Sequence, residues 1–511
     1  MIRRIENRGN PWLRLTCPHT CWSPPMDILF INPNRMQPPV APLAADSIGQ
    51  ALLSRGIGCT VVDLCLDQPS GAEIPLSFWR ALRGPQPAAV LVTLRNLDDA
   101  YYASQESFLP GYRALVESLK KAFAVPVITG GCGFSVAPEK VLAFIGADLG
   151  VAGASEKDLL GLLGALGDRD RYPDLPGVVW KDGADLLSNA PSPPQMDADF
   201  FSPRAVVRNL EYFRRGGMVG LETKRGCTGA CVYCVDPVAK GRTVLRKPIE
   251  ILLEEIRSLL RQGVTVLHLC DSEFNVPPEH ATEVCEAIRA EGLSERFRWY
   301  AYASPEGFDG ALAQRMARAG CAGINFGVDH GRDDLLVRLG RRHRAHDLER
   351  TARAARDAGL PFMFDLLLGG PGETRRSLAE AVELCRDLGV DRVGLNVGIR
   401  VYPGTALGRE VRGQGPLRKN PNLRGAVQGN EDLLHPVFFV SADLGEGWEE
   451  ELAGRVGGDR RFFLPAGRGR ASNYNYNTNE VLVEALKRGH KGAFWDILRR
   501  IQEGLPPLAL P

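Results

Sequence analysis

Between residues 217 and 410, short apolar runs alternate with amphipathic stretches six times, and this alternation constrains the fold more than any other feature. Strands are predicted at 218–222, 264–269, 297–301, 323–327, 361–367 and 393–399, and helices at 249–261, 279–290, 310–318, 347–358 and 375–388. A parallel partner strand needs a crossover, usually a helix, so such units build parallel sheet. Six of them describe a partial barrel, open on one side, with functional groups after the carboxyl ends of its strands. The loop after the first strand, residues 225–235, sets Cys227, Cys231 and Cys234 in a C-x3-C-x2-C spacing. Three thiols in eight residues are no disulfide framework, because three is odd and the loop is too tight. A closed zinc site needs a fourth ligand and usually comes as paired C-x2–4-C units. Iron–sulfur cubanes normally take four thiolates, so one held by three keeps an iron open to a small molecule. Zinc and unrelated free cysteines are the plainer alternatives.

A second alternating region precedes this one. Strands are predicted at 27–31, 59–64, 88–94, 125–129 and 148–152, with helices at 43–55, 107–123, 137–145 and after Ser155. This is the pattern of an α/β, Rossmann-like doubly wound sheet, whose ligands sit at the carboxyl ends of the strands. Gly130, Gly131 and Gly133 directly follow one strand, so backbone there can approach a bulky ligand. No G-x-G-x-x-G follows the first strand, which disfavours a dinucleotide. Arg95 and Asn96 stand in the loop that ends the third strand.

The chain therefore divides into an extension (1–26), a first α/β domain (27–165), a proline-punctuated linker with one small hairpin (166–216), a partial barrel (217–410) and a C-terminal segment (411–511). The linker is expected to pack on both domains. The last segment, mainly helical, is expected to close the barrel, with Phe438, Tyr474, Tyr476 and Trp495 as candidate pocket walls or core. Net charge is +1 with 24% charged residues, which argues against a nucleic-acid or acidic-membrane binder. No apolar run is long enough to span a membrane, and residues 1–25 lack the apolar core of a secretory signal. Twelve cysteines in such a chain read as reduced thiols plus a metal site in a cytoplasmic protein. Cys17 and Cys21 form a possible metal clip or part of a loose extension. Cys270, Cys285, Cys321 and Cys385 read as small core residues, and Arg338 to Arg344 as a solvated charge run.

The cysteine loop, with Tyr233 just before the third cysteine, resembles the cluster motif of radical S-adenosylmethionine (SAM) enzymes. Residues 27–410 as a whole resemble the cobalamin-dependent members of that family, most closely its methyltransferases. The resemblance implies three cofactors: a [4Fe-4S] cluster on Cys227, Cys231 and Cys234; SAM, chelating the fourth iron; and cobalamin on the first domain. It places Asp271 and Ser272 at the SAM aminocarboxyl group, Asp329 at the ribose, Gly369, Gly370 and Glu373 in the turn that shapes the SAM site, and Tyr402 in the segment bracketing adenine. His330 departs from the family pattern and reads either as a satisfied loop histidine or as an acid–base group facing substrate. The first domain also departs: residues 27–165 hold no histidine to serve as a lower cobalt ligand. Arg95 or Asn96 would approach that face instead, and a protonated guanidinium cannot ligate; an ordinary ion-pairing loop arginine is the other reading.

The implied activity is methyl transfer from SAM, through methylcobalamin, to an unactivated carbon or phosphorus of a small molecule in natural-product biosynthesis. A 5′-deoxyadenosyl radical would activate the substrate, although a variant that methylates an aromatic carbon without the radical step stays open. The family implies an electron donor such as flavodoxin or ferredoxin. A non-methylating cobalamin-dependent radical enzyme and a cofactor-based sensor are the competing readings.

Overall fold

Two predominantly parallel sheets organise the molecule. The computed structural model describes residues 3–5, 26–67, 74–82, 86–193, 196, 203–464 and 480–509; Cys17, Cys21, Tyr474 and Tyr476 lie outside them. The first sheet contains β1 (Arg3–Ile5), β2 (Asp27–Asn32), β3 (Gly58–Asp63), β4 (Ala89–Thr93), β5 (Val127–Gly130), β6 (Leu149–Val151), β7 (Val178–Asp182) and β8 (Asp185–Ser188). Its order is β1-β3-β2-β4-β5-β6-β7-β8. Strands β3, β2, β4, β5 and β6 run parallel, and the hairpin β7–β8 adds antiparallel at one edge. The proline-punctuated stretch thus does contain one hairpin, and it extends the first sheet. The winding direction reverses between β2 and β4, and at such a switch point the loops splay apart and leave a crevice for a ligand.

The second sheet begins with β9 (Gly220–Leu221). After the small ribbon of β10 (Lys224–Arg225) and β11 (Leu245–Arg246) it continues through β12 (Val266–Leu269), β13 (Arg298–Ala303), β14 (Cys321–Asp329), β15 (Phe362–Leu368) and β16 (Arg392–Val397). Beyond β17 (Ile399–Arg400), β18 (Leu423–Gly425) and β19 (Val437–Phe439), which form their own sheet, β20 (Phe462–Phe463) returns to pair in parallel with β16. The order β20-β16-β15-β14-β13-β12-β9 leaves the barrel open between β9 and β20. The six expected strands are present, and the C-terminal segment supplies a seventh. That segment also carries two of the three strands of a small antiparallel sheet, so it is less helical than the sequence suggests.

Apolar side chains at helical spacing turn each outer helix onto the sheet: in Ile249–Arg261, Leu252, Leu253, Ile256 and Leu259 are buried. On the helix-facing side of the strands, the rings of Phe308, Phe326, Phe362 and Phe364 meet with centroids 4.8–6.3 Å apart, mostly edge to face. Trp495, from the helix Phe494–Gln502, meets Tyr300 of β13 edge to face at 6.3 Å. Phe438 is fully buried and packs on Tyr102 in the core, whereas Trp495, also buried, lines a pocket with Tyr302 and Asn325. Among the described residues no helix is long and apolar enough to cross a membrane.

Candidate active site

The three cysteines lie in the loop between β10 and the short helix Asp236–Ala239, at the mouth of the barrel. The loop is held in shape mainly by backbone contacts. Gly226 has φ +95°, and a Cβ there would lie 2.0 Å from the Thr243 carbonyl oxygen, so glycine is required. Cys227 donates its amide to Gly241 O at 3.0 Å, and Cys234 donates to Cys231 O at 3.2 Å. The Gly229 amide donates to Cys227 Sγ at 3.3 Å. A Cβ on Gly229 would stand 3.2 Å from Cys227 Sγ and 3.9 Å from Cys231 Sγ, so the thiols gather around a residue with no side chain. Burial pushes all three thiols up from their ordinary range, while Arg341 pulls Cys231 back down.

The charge run at 338–344 is not a solvated face. Leu339 O accepts the Val232 amide at 3.0 Å, and Gly340 lies where a Cβ would be 2.3 Å from Ala230 O. Arg342 donates to Thr228 O at 2.5 Å, and Arg341 donates to Cys231 Sγ at 3.4 Å. His343 is buried on Val328 O. The segment is a strap across the cysteine loop. Its sequence gives little sign of this, because an arginine-rich stretch after a helix usually means solvent. Arg341 also pairs with Glu273 at 3.2 Å and Asp329 at 3.5 Å. Glu273, Lys224 and Arg341 line the same pocket as Cys227 and Cys231. None of these three was singled out from the sequence; position after a barrel strand was the available signal for Glu273.

Several expected cofactor contacts are drawn into the protein instead. Asp271 is buried and accepts from the Thr223 amide at 2.8 Å and the Thr223 hydroxyl at 2.5 Å, with Lys224 Nζ at 3.4 Å. Ser272 lines the pocket and donates to Asp236 at 2.5 Å. Asp329, at φ +63°, accepts from the Tyr233 hydroxyl at 2.5 Å. Glu373 is buried, accepting from Ser377 at 2.5 Å with His330 Nε2 at 3.2 Å. His330 Nδ1 accepts the Arg332 amide, so both ring nitrogens are satisfied and this is the loop-histidine case. Gly369 and Gly370 are pressed by Gly398 and Ile399, so their missing side chains serve chain packing. Tyr402 donates to Asp98 of the first domain at 3.0 Å, and the Arg400 guanidinium lies 4.4 Å from its ring centroid.

In the first domain, Arg95 and Asn96 are exposed in the loop after β4, at the switch point, with Arg95 Nη1 3.3 Å from Met36 Sδ after β2. The turn glycines pack on this loop. A Cβ on Gly131 would meet Leu94 O at 2.6 Å, and one on Gly133 would meet the Asn96 backbone; on Gly130 it would lie 3.1 Å from Val151 O. They shape the loop that would face a ligand, where the sequence suggested direct approach to the ligand. Across from it stand Cys270 and Tyr302 of the barrel mouth. Tyr302 is 49% exposed, yet burial pushes its hydroxyl up to about 12, with Asp365, Arg95 and Cys270 among the charges acting on it. Cys132 and Cys270 are likewise exposed with thiols raised by burial. Arg95 acts on both Cys270 and Tyr302, so the switch-point loop of the first domain lies near the barrel mouth. Inside that mouth Asn325 donates to Asp365 at 2.8 Å, and its buried Oδ1 has no hydrogen-bond partner.

Fold and site define a two-domain enzyme: a three-cysteine pocket at the carboxyl mouth of a parallel partial barrel, with the switch point of a doubly wound sheet close to that mouth. Residues 221–397 match the model of the radical SAM superfamily. The chain is 29% identical to the tryptophan 2-C-methyltransferase of Streptomyces laurentii, with 92% of this chain and 95% of that one aligned. It superposes on the radical SAM methyltransferase TsrM from Kitasatospora setae, solved with tryptophan and a SAM analogue bound, with a TM-score of 0.83 at 29% identity, covering 93% of this chain and 98% of that one. A second TsrM structure, with cobalamin and a [4Fe-4S] cluster bound, also gives 0.83, at 27% identity over 94% and 98% of the two chains. The cobalamin-dependent enzyme OxsB shares the fold, with a TM-score of 0.66 at 15% identity over 86% and 67% of the two chains. The chain contains a radical SAM domain and is similar over nearly its whole length to the tryptophan 2-C-methyltransferase and the TsrM structures.

Proposed function

We propose that the protein is a cobalamin-dependent C-methyltransferase that transfers a methyl group from SAM to a carbon of an aromatic small molecule in natural-product biosynthesis. The observation that carries this reading is the three-cysteine pocket at the barrel mouth, with Arg95 of the switch-point loop close enough to act on Cys270 and Tyr302 of that mouth. The cysteines fit an iron–sulfur cluster. Among the described residues no three His, Cys, Asp or Glu groups converge as a single ion would need, whereas each iron of a cluster takes its own thiolate. Cys227, Cys231 and Cys234 would hold the cluster, Glu273 and Ser272 would face SAM in the same pocket, and Arg95 and Asn96 would meet one face of cobalamin. Cobalamin, when bound, supplies a nucleophilic cobalt that relays the methyl group. Arg95 has no lone pair to offer that metal, so it would cover the face without ligating it. Tyr302 presents a hydroxyl at the barrel mouth, beside the Asn325–Asp365 pair, which suits a ring bearing an N–H. TsrM was solved with tryptophan, so tryptophan is the first substrate to try. A low-potential one-electron donor such as flavodoxin or ferredoxin serves the cluster. The ten unpaired described cysteines suit a reducing cytoplasm.

The test is anaerobic: protein reconstituted with iron, sulfide and cobalamin, reduced, and given SAM with a labelled methyl group, with and without tryptophan. Label on cobalamin together with S-adenosylhomocysteine is the expected result, and labelled tryptophan would confirm the acceptor. Deoxyadenosine without label on cobalamin would overturn the methyltransferase reading in favour of a rearrangement or oxidation. Binding of cofactors with no SAM turnover would point to a sensor.

A further inference from the structure

Arg341 is the cation of the cysteine pocket that donates to a cysteine sulfur. Its guanidinium donates to Gly327 O and from Nη1 to Cys231 Sγ at 3.4 Å, and it lies 3.2 Å from Glu273 and 3.5 Å from Asp329, with its side chain 8% exposed. Its approach to the sulfur is set by the strap, which is tied to the cysteine loop at Val232, Ala230 and Thr228. Two carboxylates offset much of its charge, but neither takes the N–H aimed at sulfur. We propose that Arg341 is a positioning residue that sets the reduction potential of the cluster through its hydrogen bond to Cys231. Reduction by one electron adds negative charge that is shared by the sulfurs, and a donor pointed at a ligating sulfur stabilises that state more than the oxidised one. The arginine therefore raises the potential and brings the cluster within reach of its electron donor. This rests on the cluster assigned to Cys227, Cys231 and Cys234.

The experiment is a redox titration of the reconstituted protein without SAM, following the electron paramagnetic resonance signal of the reduced cluster in wild type, R341M, R341Q and R341K. At a fixed poise near the wild-type midpoint, R341M and R341Q should hold a reduced-to-oxidised ratio about tenfold lower, a shift of ~59 mV for one electron. R341K keeps the charge but loses the planar fork that reaches Gly327 O and Cys231 together, so it should fall between. If R341M takes up no iron, R341Q and R341K carry the comparison. Equal midpoints in variants with full iron and sulfide overturn the proposal, and a loss of SAM affinity alone would make Arg341 a SAM ligand instead. Wild-type protein that takes up no iron and sulfide would instead defeat the cluster reading itself.

Discussion

The place proposed for Arg95 at one face of cobalamin can be tested at a single position. The loop 94–96 is fixed by Gly131 and Gly133 packing beneath it and by the Tyr112 hydroxyl donating to Asn96 O at 3.0 Å, so a side chain substituted at 95 should keep its direction. Arg95→His places a neutral imidazole with a lone pair where the guanidinium had none. We expect the absorption spectrum of bound cobalamin to shift to that of a nitrogen-ligated form, and methyl transfer to slow at least tenfold, with cobalamin affinity retained. An unchanged spectrum would move Arg95 away from the cobalt. At this scale the sequence was informative about residue type and much less about direction. Asp271, Glu373 and Tyr402 stand in the expected loops, yet their polar atoms bond to Thr223, His330 and Asp98. Alternation places a residue after a strand; which of two neighbouring carboxylates turns toward a cavity depends on partners distant in the chain. Glu273 faces the pocket and Asp271 does not because Thr223 and Lys224 supply buried donors to Asp271.

At the scale of elements, strand and helix periodicity survived because burial enforces it on each segment alone, and the parallel strands came through from apolar runs between turn residues. The strap did not come through, since its structure is a response to the cysteine loop. Its tightest point is Gly340, with φ +75° and a Cβ position 2.3 Å from Ala230 O. Gly340→Ala should push the strap off the loop; we expect iron per chain to fall by half or more on reconstitution, with a stability loss of about 1–3 kcal/mol in urea unfolding. Full iron content would show that the loop holds its shape without the strap. Three elements also bury neutral histidines: His268 on β12, His280 on the helix Pro278–Ala290 and His343 in the strap, each driven down to about 4 by desolvation. A folded pKa below the unfolded value of about 6.5 means that the unfolded chain binds more protons between those limits. The stability these groups contribute is complete above about pH 6.5 and lost as pH falls toward 4, at up to ~1.4 kcal/mol per pH unit for each histidine. Urea midpoints of the apo protein at pH 7.5, 6 and 5 should decline in that order, and a flat profile would exclude histidine protonation as the cause.

At the scale of the whole molecule, the proposed function requires the two sheets to be held face to face, and buried ion pairs join them. Arg204 of the connecting segment donates to Asp46 at 2.8 Å and to Gly220 O at 2.9 Å, joining the first domain to the first barrel strand. Arg225, two residues before Cys227, pairs with Glu222 at 2.9 Å and with Glu156 of the first domain at 3.1 Å. Arg400 donates to Asp98 at 2.9 Å and to the carbonyls of Leu433 and Leu434, while Tyr402 donates to the other Asp98 oxygen. Asp98 lies only two residues beyond Asn96, so this last clamp ties the Arg95–Asn96 loop to the barrel. None of these pairings was legible, because the partners are separated by up to 304 residues and carry no local pattern. Asp98→Ala should leave the buried Arg400 charge without its carboxylate and cost about 3–5 kcal/mol. Asp98→Leu with Arg400→Met removes both charges and should recover most of that loss, since well-packed apolar replacements of a buried pair are often neutral. The two variants separate stability from function. If the clamp also aims the Arg95–Asn96 loop, the double variant will be stable yet bind cobalamin more weakly and transfer methyl more slowly. A double variant with wild-type affinity and rate would confine the clamp to stability and leave the loop positioned by Gly131, Gly133 and Tyr112 alone.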